Sequence, residues 1–153
     1  AFKDGSRKSN GADVMAVVAD ASQMALDGVV DAVFVGRAGE VDAEFGKARA
    51  SGSSPAAIVS AAIRQVANLH KMKLALEGGD SIESVMKRAG PPVHFSRERI
   101  VGEALRAWPP ARLLRAMEQL AEATLEMRRN APLAEAIAQR TLLSIAVNAR
   151  KKA

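Results

Sequence analysis

Between Pro55 and Glu77, "PAAIVSAAIRQVANLHKMKLALE" places Ile58, Ala62, Val66, Leu69, Met72 and Leu76 at spacings of 4, 4, 3, 3 and 4. Those intervals follow the α-helical period, so the six side chains share one face. Arg64, Asn68 and Lys71 fall on a separate polar stripe. Both ends carry punctuation. "SGSSP" offers a serine to cap the first turn and sets Pro55 where a helix needs no N–H. "GG" at 78–79 closes the segment. The predicted helix is about 34 Å long at 1.5 Å per residue.

Similar signals organise the rest of the chain. Residues 1–11 read as loop, and Ala12 to Ala19 predict a short helix ending near Asp20 and Ser22. "QMALDGVVDAVFVG" predicts a second helix, with Met24, Val29, Val30, Val33 and Phe34 on one side and Gly36 at its end. "EVDAEFGKARASG" predicts a third, stopped by Gly52. Beyond the long helix, Asp80 is a candidate cap with Glu83 at capping-box spacing, and the segment stops at Gly90 before two prolines. Ser96 is the candidate cap for a short helix with Val101, Leu105 and Trp108, broken by Pro109 and Pro110. "ARLLRAMEQLAEATLEMRRN" carries Leu113, Met117, Leu120, Thr124 and Met127 inward; Pro132 opens a last helix with Ile137, Ala138, Leu142 and Ile145 inward. No segment alternates with period two. The expected fold is all-α, a bundle of about eight helices whose short loops make sequential neighbours antiparallel.

Composition narrows the function. Of the 153 residues, 48% are apolar and only 3% aromatic, which suits closely packed helices better than a sandwich or barrel. The absence of cysteine excludes disulfides, thiol catalysis and thiolate metal sites. No apolar run approaches the roughly 20 residues that span a bilayer, so no membrane partner is expected. The start, "AFKDGSRKSNGAD", is charged and Gly/Ser-rich, unlike a signal peptide. Opening at Ala1 without Met suggests a fragment or a few leading residues from elsewhere.

The formal charge of +5 is uneven: residues 1–50 hold 6 basic and 8 acidic side chains, and residues 51–153 hold 16 and 9. A basic half is compatible with an autonomous nucleic-acid-binding module using Arg112, Arg115, Arg128, Arg129 and the 150–152 tail. It is equally what basic residues spread over solvated helix faces look like. Candidate chemistry is sparse. His70 and His94 have no partner at metal-ligand spacing. Glu118, Glu122 and Glu126 line up at i, i+4, i+8 without the Glu-x-x-His companions of a di-iron bundle, so a solvated face explains them. "ASGSSP" and "EGGDS" lack the phosphate-loop pattern. No catalytic, cofactor or metal residue is nominated. The residues alone describe a soluble helical interaction domain.

The order "ADVMAVVAD" into "DGVVDAVFVG", then "GSSPAAIVSAAIRQVANLHKMK", then "MKRAGPPVHF" and two closing long helices has a further meaning. It resembles the C-terminal part of the delta subunit of the bacterial DNA polymerase III clamp loader, over roughly residues 11–148. The most specific stretches are "SSP…AAIRQVANLHKMK" and the "AGPPV" break; Ile63, Arg64, Gln65, Leu69 and Lys73 carry the first. The resemblance implies a protein with an ATPase-like N-terminal module, a small helical lid and an all-helical collar. It implies that residues 1–20 are the end of the lid and residues 21–153 the collar that holds loader subunits in a ring. It further implies a non-catalytic, cytoplasmic role in DNA replication, without cofactor. Its partners would be other clamp-loader subunits. The sliding clamp would be reached only through the missing N-terminal module, and DNA contact would be indirect or weak. Within that frame the helix pair from Ala111 to Ala149 is the expected contact surface, because Leu114, Leu125, Leu143 and Val147 lie off its inward stripes.

Overall fold

The computed structural model describes residues 2–150, with side chains from Asp13 onward. Among them the chain is all-helical, 86% helix without strands, and forms a bundle of seven α-helices. These are α1 (Phe2–Val35), α2 (Ala38–Ala50), α3 (Pro55–Glu77), α4 (Ile82–Arg88), α5 (Glu98–Ala107), α6 (Pro110–Arg129) and α7 (Ala134–Ala149), with 3₁₀ turns at Phe95–Arg97 and Ala131–Leu133.

The count falls one short of expectation because the first two predicted helices are one. α1 runs through Asp20 and Ser22 and also takes in the stretch read as loop. Asp and Ser weaken a helix interior by only tenths of a kcal/mol, and no proline interrupts the run. Gly28 lies mid-helix beside the Glu44 carboxylate of α2, which would have to swing aside for a methyl there. The chain leaves α1 at Gly36, whose φ of +87° favours glycine. A Cβ at Gly36 would lie 2.7 Å from Arg150 Cγ and 3.3 Å from the Ala146 carbonyl oxygen. The C-terminal end of α7 therefore rests directly on this turn.

α3 is the axis of the bundle. It lies along α6 and also touches α1, α4, α5 and α7. Ile58, Ala62, Val66, Leu69 and Met72 are all buried, as their spacing predicts, and Leu76 is half-buried. Ser54 caps α3 by accepting a hydrogen bond from the Ala57 N–H at 3.1 Å. At the other end the Gly79 and Asp80 N–H groups donate to the Leu76 and Ala75 carbonyls.

Other local expectations change. Ser81, not Asp80, caps α4, accepting from the Ser84 N–H at 3.2 Å, while Asp80 pairs with Arg88 at 2.5 Å. His94 rather than Ser96 closes the next turn, its Nδ1 accepting from the Ser96 N–H at 3.2 Å. Met24, placed on the inward side of its helix, is 72% exposed. It lies about 180° round α1 from buried Val33, nine residues on, and so faces solvent, although Ser22, further out, still bonds the Ser51 carbonyl; every residue from Asp13 to Ala21 is exposed too. Thr124 and Met117 are half-buried, because Ala116 and Ala123 share the inward face of α6 with Leu113, Leu120 and Met127.

Trp108 ties the bundle together. Its indole N–H donates to the Phe34 carbonyl at 2.8 Å, and its ring meets the Phe34 ring edge-on with centroids 5.8 Å apart. Pro109 and Pro110 end α5 just beyond it, so α6 starts afresh with Pro110 in its first turn.

Candidate subunit interface

α6 and α7 form an antiparallel pair. Arg112 donates to the Asn148 carbonyl, Gln119 to Ser144 Oγ at 3.1 Å, and Arg140 pairs with Glu126 at 3.5 Å. Apolar side chains below this seam close the core: Leu113, Leu120 and Met127 from α6, Ile137, Leu142 and Ile145 from α7. The hairpin is therefore a rigid, doubly anchored surface.

The four apolar candidates on it do not form one patch. Leu114, Leu125 and Val147 are 46%, 50% and 43% exposed, but Leu143 is half-buried against the core. At about 100° per residue, Leu114 and Leu125 point within about 20° of each other on α6. Gln119 and Glu126, which reach α7, lie about 100–140° further round. Leu114 and Leu125 thus belong to the flank of α6 turned away from α7, while Val147 belongs to α7. Met117 and Ala121 complete the α6 flank at spacings of 3, 4 and 4 from Leu114 to Leu125. This second apolar stripe beside the buried one was missed in the sequence. Only the position of the first stripe, fixed by the buried alanines, makes it visible.

The four arginines are not brought together either. Arg112 is half-buried, bonded to the Asn148 carbonyl, with its guanidinium 5.5 Å from the Trp108 ring centre. It serves the fold. Arg115, Arg128 and Arg129 are exposed; Arg115 and Arg129 share a side of α6 about four turns apart, with Glu118, Glu122 and Glu126 between them, and Arg128 lies about 100° round from Arg129. A duplex or single strand would meet mixed charge there. Arg150 is exposed, and the rest of the 150–152 tail lies outside the described residues.

Ionic chemistry concentrates elsewhere. Arg97, after the Gly90–His94 loop, reaches α1 and binds Asp31 through two hydrogen bonds of 2.7 and 3.0 Å, with Asp27 at 3.6 Å. Burial pushes the Asp31 carboxyl above its ordinary value, against the opposing pull of the Arg97 hydrogen bond and charge. Arg97 and Asp27 form one wall of a cleft of about 500 Å³ between α1, α3 and the loop. Arg64, Gln65 and Asn68 of α3 form another wall. Of these, the sequence displayed only the polar stripe of α3; Arg97 and Asp31, 66 residues apart, gave no local signal of their pairing.

Among the described residues no group of three or more His, Asp or Glu side chains is placed to hold a metal ion. Nor is any described helix long and apolar enough to cross a membrane. Comparison with protein families, curated proteins and solved structures finds no match to this chain.

Proposed function

We propose that this chain is the helical collar of a delta subunit of the bacterial DNA polymerase III clamp loader, and that the outer flank of α6 meets a neighbouring loader subunit. The resemblance of "SSPAAIVSAAIRQVANLHKMK" and "AGPPV" supports the family reading. The observation that carries the surface is the stripe of exposed Leu114, Ala121 and Leu125 with half-buried Met117 at its edge, on a helix already anchored along its other side by α3 and α7. A rigid helix that buries one apolar stripe and leaves a second in solvent is suited to a heterologous contact. In this reading the chain is a cytoplasmic, non-catalytic scaffold in DNA replication. It reaches the sliding clamp only through a module outside this sequence, and touches DNA weakly or indirectly.

Co-elution with the other loader subunits on size exclusion tests this. The parent chain joins the complex. Leu114→Glu and Leu125→Glu, changed at half-exposed positions, keep the parent's circular dichroism but elute alone. Retention of both variants in the complex moves the contact away from α6. Failure of the parent itself to co-elute removes the clamp-loader reading.

A further inference from the structure

The cleft beside Arg97 has features that the collar reading does not use. It continues across Asn68 and Met72 into a second hollow of about 180 Å³ that reaches Ala75. Together the two make one groove along α3, under the loop that follows α4. We infer that this groove binds an extended peptide segment bearing a carboxylate next to an apolar side chain. The inference does not rest on the clamp-loader assignment.

Length fits first. From Ala61 to Ala75 the groove follows about 21 Å of α3, which matches about six residues of extended chain. The lining fits next. Half-buried Val93 supplies apolar contact at the surface, over a floor of buried Val30, Met72 and Val101. Gln65 and Asn68 are half-buried in the wall, yet their amides bond to no described residue. Each amide offers donors and an acceptor together. That is the pairing an extended backbone presents at every residue. Phe95, 78% exposed and stacked on His94 at 4.4 Å between ring centres, adds an aromatic surface at the rim.

Charge selects the ligand. Arg97 is already neutralised by Asp31 and Asp27. Arg64 and Lys71 are exposed and make no ion pair with any described residue. They lie seven residues apart, two turns along the same side of α3. A single carboxylate on a peptide satisfies this pair. Asp27 and Asp80, which line the same groove, are paired with Arg97 and Arg88, so Arg64 and Lys71 are the two charges left over, too few for a strand with a phosphate at every step.

The test uses the full chain and fluorescence anisotropy with a labelled peptide, Gly-Leu-Asp-Leu-Leu-Gly amide. Its Asn counterpart and a fifteen-residue oligothymidylate serve as comparisons. The Asp peptide binds saturably. Binding weakens about tenfold for the Asn peptide, for Arg64→Ala and for Asn68→Ala. Both variants melt within about 2 °C of the parent, since neither residue holds the core. The oligothymidylate does not displace the peptide. No saturable binding below about 1 mM, or equal affinity in Arg64→Ala, overturns the inference. Displacement by the oligothymidylate overturns it in favour of a nucleic-acid groove.

Discussion

Replacing Arg97 by Met removes a charge while keeping much of the side chain's length. Asp31 then loses both of its guanidinium hydrogen bonds, and its side chain is only 14% exposed. Stranding a fully buried charge costs about 3–5 kcal/mol. The Arg97 side chain is 23% exposed, so water screens the pair in part, and about 3 kcal/mol is the expected loss at pH 7. For a chain of this size that lowers Tm by about 6–12 °C. The pH dependence is the sharper test. Burial already holds the folded-state Asp31 carboxyl above 3.8. A raised carboxyl binds its proton more tightly folded than unfolded, so its contribution favours the fold in acid and is lost as pH rises through the window above 3.8. Without Arg97 the pull opposing burial disappears and that window moves higher. The Arg97→Met deficit should therefore be small near about pH 4 and full near about pH 7. Adding Asp31→Asn removes the stranded charge and should restore most of the loss at neutral pH. Thermal melts monitored by circular dichroism across this range decide it. A deficit that is the same at both pH values, or one that Asp31→Asn deepens at pH 7, refutes the account.

The orientation of α3 gives a paired expectation. Leu69→Asp buries an unpaired carboxylate at a position with 0% exposure and should cost several kcal/mol, whereas exposed Lys71→Asp should stay within about 0.5 kcal/mol; equal Tm losses would mean the helix is turned the other way. Gly36→Ala combines a φ of +87° with a methyl pressed on α7 and should lower stability by about 1–3 kcal/mol in urea melts, while an unchanged midpoint would show that the α1–α7 contact is slack.

Local rules read this chain well where one side chain decides the outcome. Ser54 and Pro55 start α3, the Gly78–Gly79 pair ends it, and Pro109–Pro110 separates α5 from α6. They fail where two residues compete or where a distant partner decides. Asp80 and Ser81 both suit an N-cap, and Arg88, eight residues on, draws Asp80 away. Asp20 and Ser22 looked like a helix end, but either residue is tolerated inside a helix. Met24, grouped with Val29 and Val33 in the sequence, lies about 180° round α1 from Val33 at about 100° per residue, on the side turned to solvent. The interface candidates differ in how far the fold covers them. Leu114 and Leu125 are exposed as expected, yet Leu143 is covered, because an alanine-rich face on α7 lets the helix settle deeper than a leucine stripe would.

The seating of α7 on the Gly36 turn has a consequence for when the molecule becomes stable. α1 and α2 are synthesised before α7, and both pack on it. Arg49 of α2 bonds to Glu135 at 3.1 Å, across 86 positions. Until α7 is made, the apolar faces of α1 and α2 lack part of their cover. Closing such distant contacts is slow compared with forming a local turn, and a partly built bundle exposes apolar surface that can join other chains. A chain cut short before α7 would thus leave α1 and α2 partly uncovered, which makes α7 a checkpoint on synthesis of the whole bundle.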